Sequence, residues 1–415
     1  MILEFGYGKT IQTVDVPDRN LLAVLHANPV PPGITGEAEV RRALEEPIGT
    51  PRLRDLVKPG RKIAIVTSDI SRPMPTAAVM PALLDELYTA GVSPDDVTLV
   101  FALGSHRPHT EEERRALAGE RASREIRLTD SDPDDVVRLG VTSAGTPVDI
   151  TRVVAEADFR IALGNVEFHY FAGYSGGAKA IMPGVSTPEA IQANHRMMVR
   201  PEACAGRLIG NPIRADIEEA ERFCHADFIL NVVLDEHKRI VRAVAGDVTL
   251  AHREGCRFLD RMYRCPIPKK ADIVLVSQGG WPKDANLYQT QKALDNAKYA
   301  LAPGGTMIVI GACSEGFGSA VFEEWMCSAP TSHSLIDRIG REFRLGGHKA
   351  AAIAMVLEES RIDLVSEMDP ALVRSIFLNP QPTAETAFRE ALARHGENAT
   401  VIAMPYGGST LPVAE

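Results

Sequence analysis

Residues 61–75 read RKIAIVTSDISRPMP, and the fold follows from this stretch. The run IAIV is continuously apolar and rich in β-branched residues. It is too short for a helix and lacks the alternation of a strand with one wet face, so it reads as a strand buried on both sides, as in a parallel sheet. Pro73 and Pro75 then stiffen a polar loop, and an amphipathic helix is expected over Thr76 to Ala90. The unit repeats. Residues 97–103 (VTLVFAL) form a second strand, followed by a helix opening at Thr110, where Thr110 and Glu113 have the spacing of a capping box. Further strands are expected at 159–163 and at 228–234 (FILNVVL). The prolines and lysines of CPIPKK, residues 265–270, read as a linker. Beyond it, 272–277 (DIVLVS) opens a second series: a helix over 286–301, a turn at Pro303-Gly304-Gly305, a strand at 306–310, helices near 331–341, 347–358 and 382–394, and a short strand at 400–403. The expectation is an α/β fold of two domains, 1–268 and 269–415, with largely parallel sheets and the active site in the cleft between them. Sheets of this kind bind ligands at the carboxyl ends of their strands.

Composition narrows the function. The 415 residues carry a formal net charge of -10, so no broad basic surface exists to neutralise nucleic-acid phosphates. No apolar stretch approaches the length of a membrane span, and the opening residues lack the pattern of a signal peptide. The six cysteines include no C-x-x-C pair and read as free thiols of a reducing compartment, so a cytoplasmic location is expected.

The unusual residues cluster just beyond strand ends. Asp69 and Arg72 lie in the loop after the first strand, where an arginine suits a carboxylate or a developing oxyanion, and where a local Asp–Arg pair is the plainer reading. After the second strand comes GSHRPHT, 104–110. Its His106 is a candidate general base, and His106 with His109 has H-x-x-H spacing, which also admits a metal. After the third strand runs GNVEFHYFAGYSGGAK, 164–179, in which His169 precedes the Ser175-Gly176-Gly177 turn and Lys179. Such a turn can cradle an anion, but it is no P-loop, because Ala178 and Ala180 flank the lysine. Lys179 is thereby a candidate nucleophile or covalent anchor. His195, in Asn194-His195-Arg196, sits about two turns into the following helix and can converge with His169 and Lys179 on one cofactor. In the second domain Gln289 and Lys292 share a helix face suited to a substrate carboxylate. His348 and Lys349 offer either another anion contact or a helix N-terminal role.

Taken in order, SDISRPMP, GSHRPHT, FHYFAGYSGGAKAIMPG, NHR and NLYQTQK resemble the lactate racemase family that uses a nickel-pincer nucleotide. The resemblance runs from about residue 61 to 318 and more loosely to the C-terminus. It implies a racemase or epimerase of a 2-hydroxy acid. The cofactor would be nickel pyridinium-3,5-bisthiocarboxylic acid mononucleotide, joined to Lys179, supported by Asp69, Ser175, Gly176 and Gly177, and ligated at nickel by His195. His106 and His169 would be the acid/base pair, and Arg72, Gln289, Lys292 and Tyr288 would bind substrate. Hydride would pass reversibly to the cofactor through a 2-keto acid, and cofactor-biosynthesis enzymes would be partners. The different chemistry left open by the residues is a zinc hydrolase using His106, His109, His169 and His195.

Overall fold

The Ile63–Ser68 strand lies inside a six-stranded sheet ordered Ile240–Gly246, Phe228–Leu234, Phe159–Asn165, Ile63–Ser68, Val97–Ala102, Arg127–Asp130. All neighbours run parallel except Ile240–Gly246, which pairs antiparallel with Phe228–Leu234 at one edge. Ile63 and Ile65 are buried in a core with Val79, Leu83 and Leu87 of the Thr76–Thr89 helix, which explains the unbroken apolar run. The loop between strand and helix is closed by the hydroxyls of Thr67 and Thr76, 2.7 Å apart. The expected capping box forms: the Thr110 hydroxyl accepts from the Glu113 N–H at 3.2 Å, and the Glu113 carboxylate accepts from the Thr110 N–H at 2.9 Å. The helix it opens, Glu111–Glu125, is interrupted at Gly119, whose φ of 80° lets the chain pass against Ala77; a Cβ there would come within 2.9 Å of the Ala77 side chain.

The computed structural model describes residues 1–30 and 33–414. These residues group into one unit over Val30–Asp260 and another made of Met1–Pro29 together with the chain from Arg261 onward. The second unit holds a six-stranded, fully parallel sheet ordered Asn379–Gln381, Arg361–Val365, Leu301–Ile310, Ala271–Ser277, Val401–Met404, Leu21–Val24.

Three expectations change. The division at 268 misassigns the first residues, because Leu21–Val24 supplies an edge strand beside Val401–Met404 and so builds residues 1–29 into the unit of the C-terminal half. The stretch read as a linker is ordered: Arg264–Ile267 pairs in parallel with Leu411–Ala414. The Pro303-Gly304-Gly305 turn is an irregularity within one strand, Leu301–Ile310, where the register to Ala271–Ser277 shifts. Among the described residues no helix is long and apolar enough to cross a membrane, and none of the six cysteines is joined in a disulfide. Replacing Thr110 by Ala removes one of the two reciprocal cap bonds and is expected to lower stability by about 1 kcal/mol, measurable by urea unfolding.

Candidate active site

Neighbouring strands of the first sheet end in the loops that carry Asp69, His106 and His169. The Asp69 carboxylate is buried, takes the Ser71 hydroxyl at 2.8 Å and lies 2.6 Å from Nδ1 of His106. Burial alone would raise this carboxyl. The hydrogen bond and charge of His106, the Ser71 bond and the Arg72 charge outweigh it and hold Asp69 below its ordinary value. An ionised Asp69 fixes a proton on Nδ1 of His106 and turns Nε2 into the working nitrogen, the arrangement by which a carboxylate orients a catalytic imidazole. Arg72 is exposed, and its charge is felt at Asp69, His169 and Lys179.

His109 behaves differently from its neighbour. It is buried, its Nδ1 lies 2.7 Å from Asp130, and its Nε2 accepts the Ile70 N–H at 3.0 Å. Both ring nitrogens are engaged in holding the two loops together, so the H-x-x-H metal reading fails at His109. Among the described residues no three His, Cys, Asp or Glu side chains are grouped to share a metal, which removes the ligand set of the zinc hydrolase.

Past the third strand, Phe168–His169 and Gly173–Tyr174 form a short antiparallel hairpin in which His169 faces Gly173. The ring of Phe171, at its tip, is a hub. It meets His169 edge-on at 4.4 Å and His195 at 4.8 Å, and the Lys179 Nζ sits 6.0 Å over its face. His169 stacks on Tyr170 at 5.4 Å and accepts the Ala172 N–H at Nδ1. Burial, then the charges of Lys179, Arg72, His195 and Arg214, push its proton affinity far below the ordinary imidazole value, so the ring is neutral. Lys179 is displaced the same way, by burial first and by Arg72 and Arg214 next, with only Glu167 opposing; its amine holds its proton far less tightly than an ordinary lysine, which favours its use as a nucleophile.

His195 closes the Pro188–His195 helix and is buried. Its Nδ1 lies 2.8 Å from the Asn194 side-chain oxygen, and Asn194 in turn donates to Asp216 at 2.7 Å. The amide oxygen can only accept, which places the proton on Nδ1 and the lone pair on Nε2. Metal-ligating histidines are held by such partners.

The Ser175-Gly176-Gly177 turn is built by the chain itself. The Ser175 hydroxyl donates to the Asn165 carbonyl at 2.7 Å and accepts the Glu167 N–H at 2.9 Å, and the Gly177 N–H donates to Asn231 at 2.8 Å. A Cβ on Gly177 would lie 2.8 Å from the His252 ring and one on Gly176 2.8 Å from Asn231, so these glycines answer to packing beneath the turn. The expectation that Ser175 and Gly177 offer open donors to an anion is corrected accordingly. In the other unit, Tyr288, Gln289 and Lys292 lie on the Leu287–Ala297 helix, with Gln289 half-buried and Lys292 exposed. Lys349 donates to the Tyr288 carbonyl at 2.7 Å and to the Gln291 side chain at 3.1 Å, so it ties its own helix to this one, a role outside the two expected for it.

Sequence reasoning missed Arg214, His252 and Asn231, all buried below the SGG turn and its hairpin. The trace available for Arg214 was a cation beside Ile213 on the face that Ile217 and Ala220 mark as interior. His252 and Asn231 leave no such trace, because each is an isolated polar residue in an ordinary helix or strand.

The lactate racemase N-terminal domain family model matches residues 7–206 and the lactate racemase C-terminal domain model matches 267–411. The lactate racemase of Thermoanaerobacterium thermosaccharolyticum is 33% identical over 99% of this chain and 98% of that protein, and that of Lactiplantibacillus plantarum is 32% identical over 98% of each. The structure of the lactate racemase apoprotein from T. thermosaccharolyticum superposes with a TM-score of 0.90 at 32% identity, covering 100% of both chains. A Thermotoga maritima protein, 18% identical over 91% of this chain and 98% of its own, shares the fold at a TM-score of 0.63.

Because His169 and His252 are both neutral in the folded chain, with proton affinities below those of an unfolded imidazole, stability is complete above about pH 6.5 and falls as acid protonates the unfolded chain preferentially. Thermal unfolding of the apoprotein between about pH 8 and pH 5 should show this decline, and H252Q, which removes one titrating ring, should flatten it.

Proposed function

This chain belongs to the lactate racemase family, and on that premise we propose that it racemises or epimerises a 2-hydroxy acid with the help of a nickel-pincer nucleotide tethered through Lys179. The observation that carries the reading is the set around Phe171: the Lys179 amine, an imidazole with its lone pair fixed on Nε2, and a second, neutral imidazole. The residues fit such a group. Lys179 would form the covalent link and His195 would ligate the metal. The charges of Arg72 and Arg214, opposed near Lys179 by Glu167 alone, suit an anionic nucleotide. Bound there, the group would supply a reversible hydride acceptor, which a 2-hydroxy acid needs because its C–H is too weak an acid for simple deprotonation.

The chain's own residues handle the proton and the charge. His169, kept neutral, takes the hydroxyl proton as the carbon becomes a planar ketone. His106, oriented by Asp69, serves the opposite hand. Arg72, exposed and close enough to act on both Lys179 and His169, steadies the oxygen as its charge changes, a contribution commonly worth about 3 kcal/mol per donor. The carboxylate is assigned to Gln289, Lys292 and Tyr288, on the strength of the family resemblance. A cytoplasmic location and dependence on cofactor-making enzymes belong to the same reading.

Protein produced alongside those enzymes should show a mass addition on the peptide bearing Lys179, absent in K179R. H195A should keep the addition and lose nickel. A panel of chiral 2-hydroxy acids, read by chiral chromatography, should reveal a racemised substrate, and on it D69N should lower kcat by about a hundredfold. Turnover by protein made without the cofactor-making enzymes would refute the proposal.

A further inference from the structure

Arg214 is 1% exposed on the Pro212–Glu221 helix. Its Nε donates to the Ala172 carbonyl at 3.3 Å and its Nη2 to the Tyr174 carbonyl. These two carbonyls flank Gly173, the residue that faces His169 across the hairpin. Among the described residues no carboxylate lies within ion-pair distance of the guanidinium. Glu218, whose charge favours the Arg214 cation, pairs instead with Arg253 at 2.7 Å. A buried charge without an opposite partner is expensive, and an apolar side chain would fill this helix face without that cost, so packing alone does not account for the residue.

We propose that Arg214 is a positioning residue for His169 and for the tether lysine, gripping both carbonyls of the hairpin that carries His169 while its charge, with no carboxylate partner, acts on the Lys179 amine. The inference rests on the role given to Lys179 above. Its electrostatic side agrees with the geometry: Arg214 lowers the proton affinity of Lys179, His169 and His252, in each case after burial, and burial pushes Arg214 itself down to about 10. The groups acting on Lys179 are Arg72, Arg214 and Glu167, and those acting on Arg214 are Glu218, Cys256 and Arg253. Arg214 is thus the buried cation that acts on the amine, whereas Arg72 is exposed.

The test uses full-length apoprotein with R214M and R214Q, each checked for folding by thermal unfolding. Two quantities are read: hydrogen exchange of residues 168–174, and the pH dependence of reductive methylation at Lys179 by formaldehyde and borohydride, located by peptide mass spectrometry. In R214M the hairpin amides should exchange faster while the rest of the unit is unchanged, and the methylation midpoint should move to higher pH. R214Q keeps a donor but no charge; it should recover part of the hairpin protection and none of the midpoint. Wild-type exchange and a wild-type midpoint in the folded variants would overturn the proposal. Should neither variant fold, R214K carries the hydrogen-exchange arm: faster hairpin exchange supports the proposal and unchanged exchange overturns it. Neither measurement needs cofactor, so Arg214 can fail while the racemase reading stands, and an unmodified Lys179 in matured protein would sink that reading without altering these results.

Discussion

An amine and an imidazole meet at one aromatic ring, Phe171, and both feel the charges of two guanidinium groups, with little negative charge to answer them. Much of the first unit serves this imbalance. It keeps His169 without a proton at neutral pH and weakens the hold of Lys179 on its own, so one can receive a proton and the other is eased toward forming a bond. Asp69 acts locally against it: its carboxylate stays ionised and directs its effect to His106. Two histidines are thereby given different surroundings, one aromatic and cationic, the other carboxylate-paired. Such a difference suits a reaction that must treat two mirror-image substrates through one site.

The sheet makes the arrangement possible. Strands Ile63–Ser68, Val97–Ala102 and Phe159–Asn165 are adjacent and parallel, so their carboxyl ends bring the Asp69, His106 and His169 loops to one edge. The loops are then tied to one another. Gly104 donates to the Gly184 carbonyl at 3.0 Å, and His109 bonds to the backbone of Ile70. A histidine whose spacing admitted a metal therefore turns out to be a brace.

Legibility in the sequence followed the kind of force involved. Strands buried on both faces announce themselves as apolar runs, and the Thr110 cap was visible because its two partners lie three residues apart. Loops after such strands could be marked by composition, which exposed Asp69, Arg72, His106, His169 and Lys179. What stayed hidden depends on contacts between residues distant in the chain. Arg214 is 40 residues from Tyr174, Asn231 is 54 from Gly177, and His252 is 77 from Ser175. The roles of His106 and His109 separate only when Asp69 and Asp130 come into reach. The Leu21–Val24 strand was missed because LLAV is too brief to stand out, and its partner Val401–Met404 lies far along the chain.

That edge strand has a consequence for how the protein comes into being. A ribosome releases residues 1–29 first, yet the sheet they complete is built from segments synthesised last, beginning near residue 271. The intervening 30–260 unit can fold as an insertion while its predecessor waits. The leading segment, with its Ile2–Tyr7 and Thr10–Asp15 hairpin, stays without its final neighbours until residues 271–404 have been made. Order of synthesis and order of assembly are thus reversed for one half of the molecule, and its closure is a long-range, slow-nucleating event.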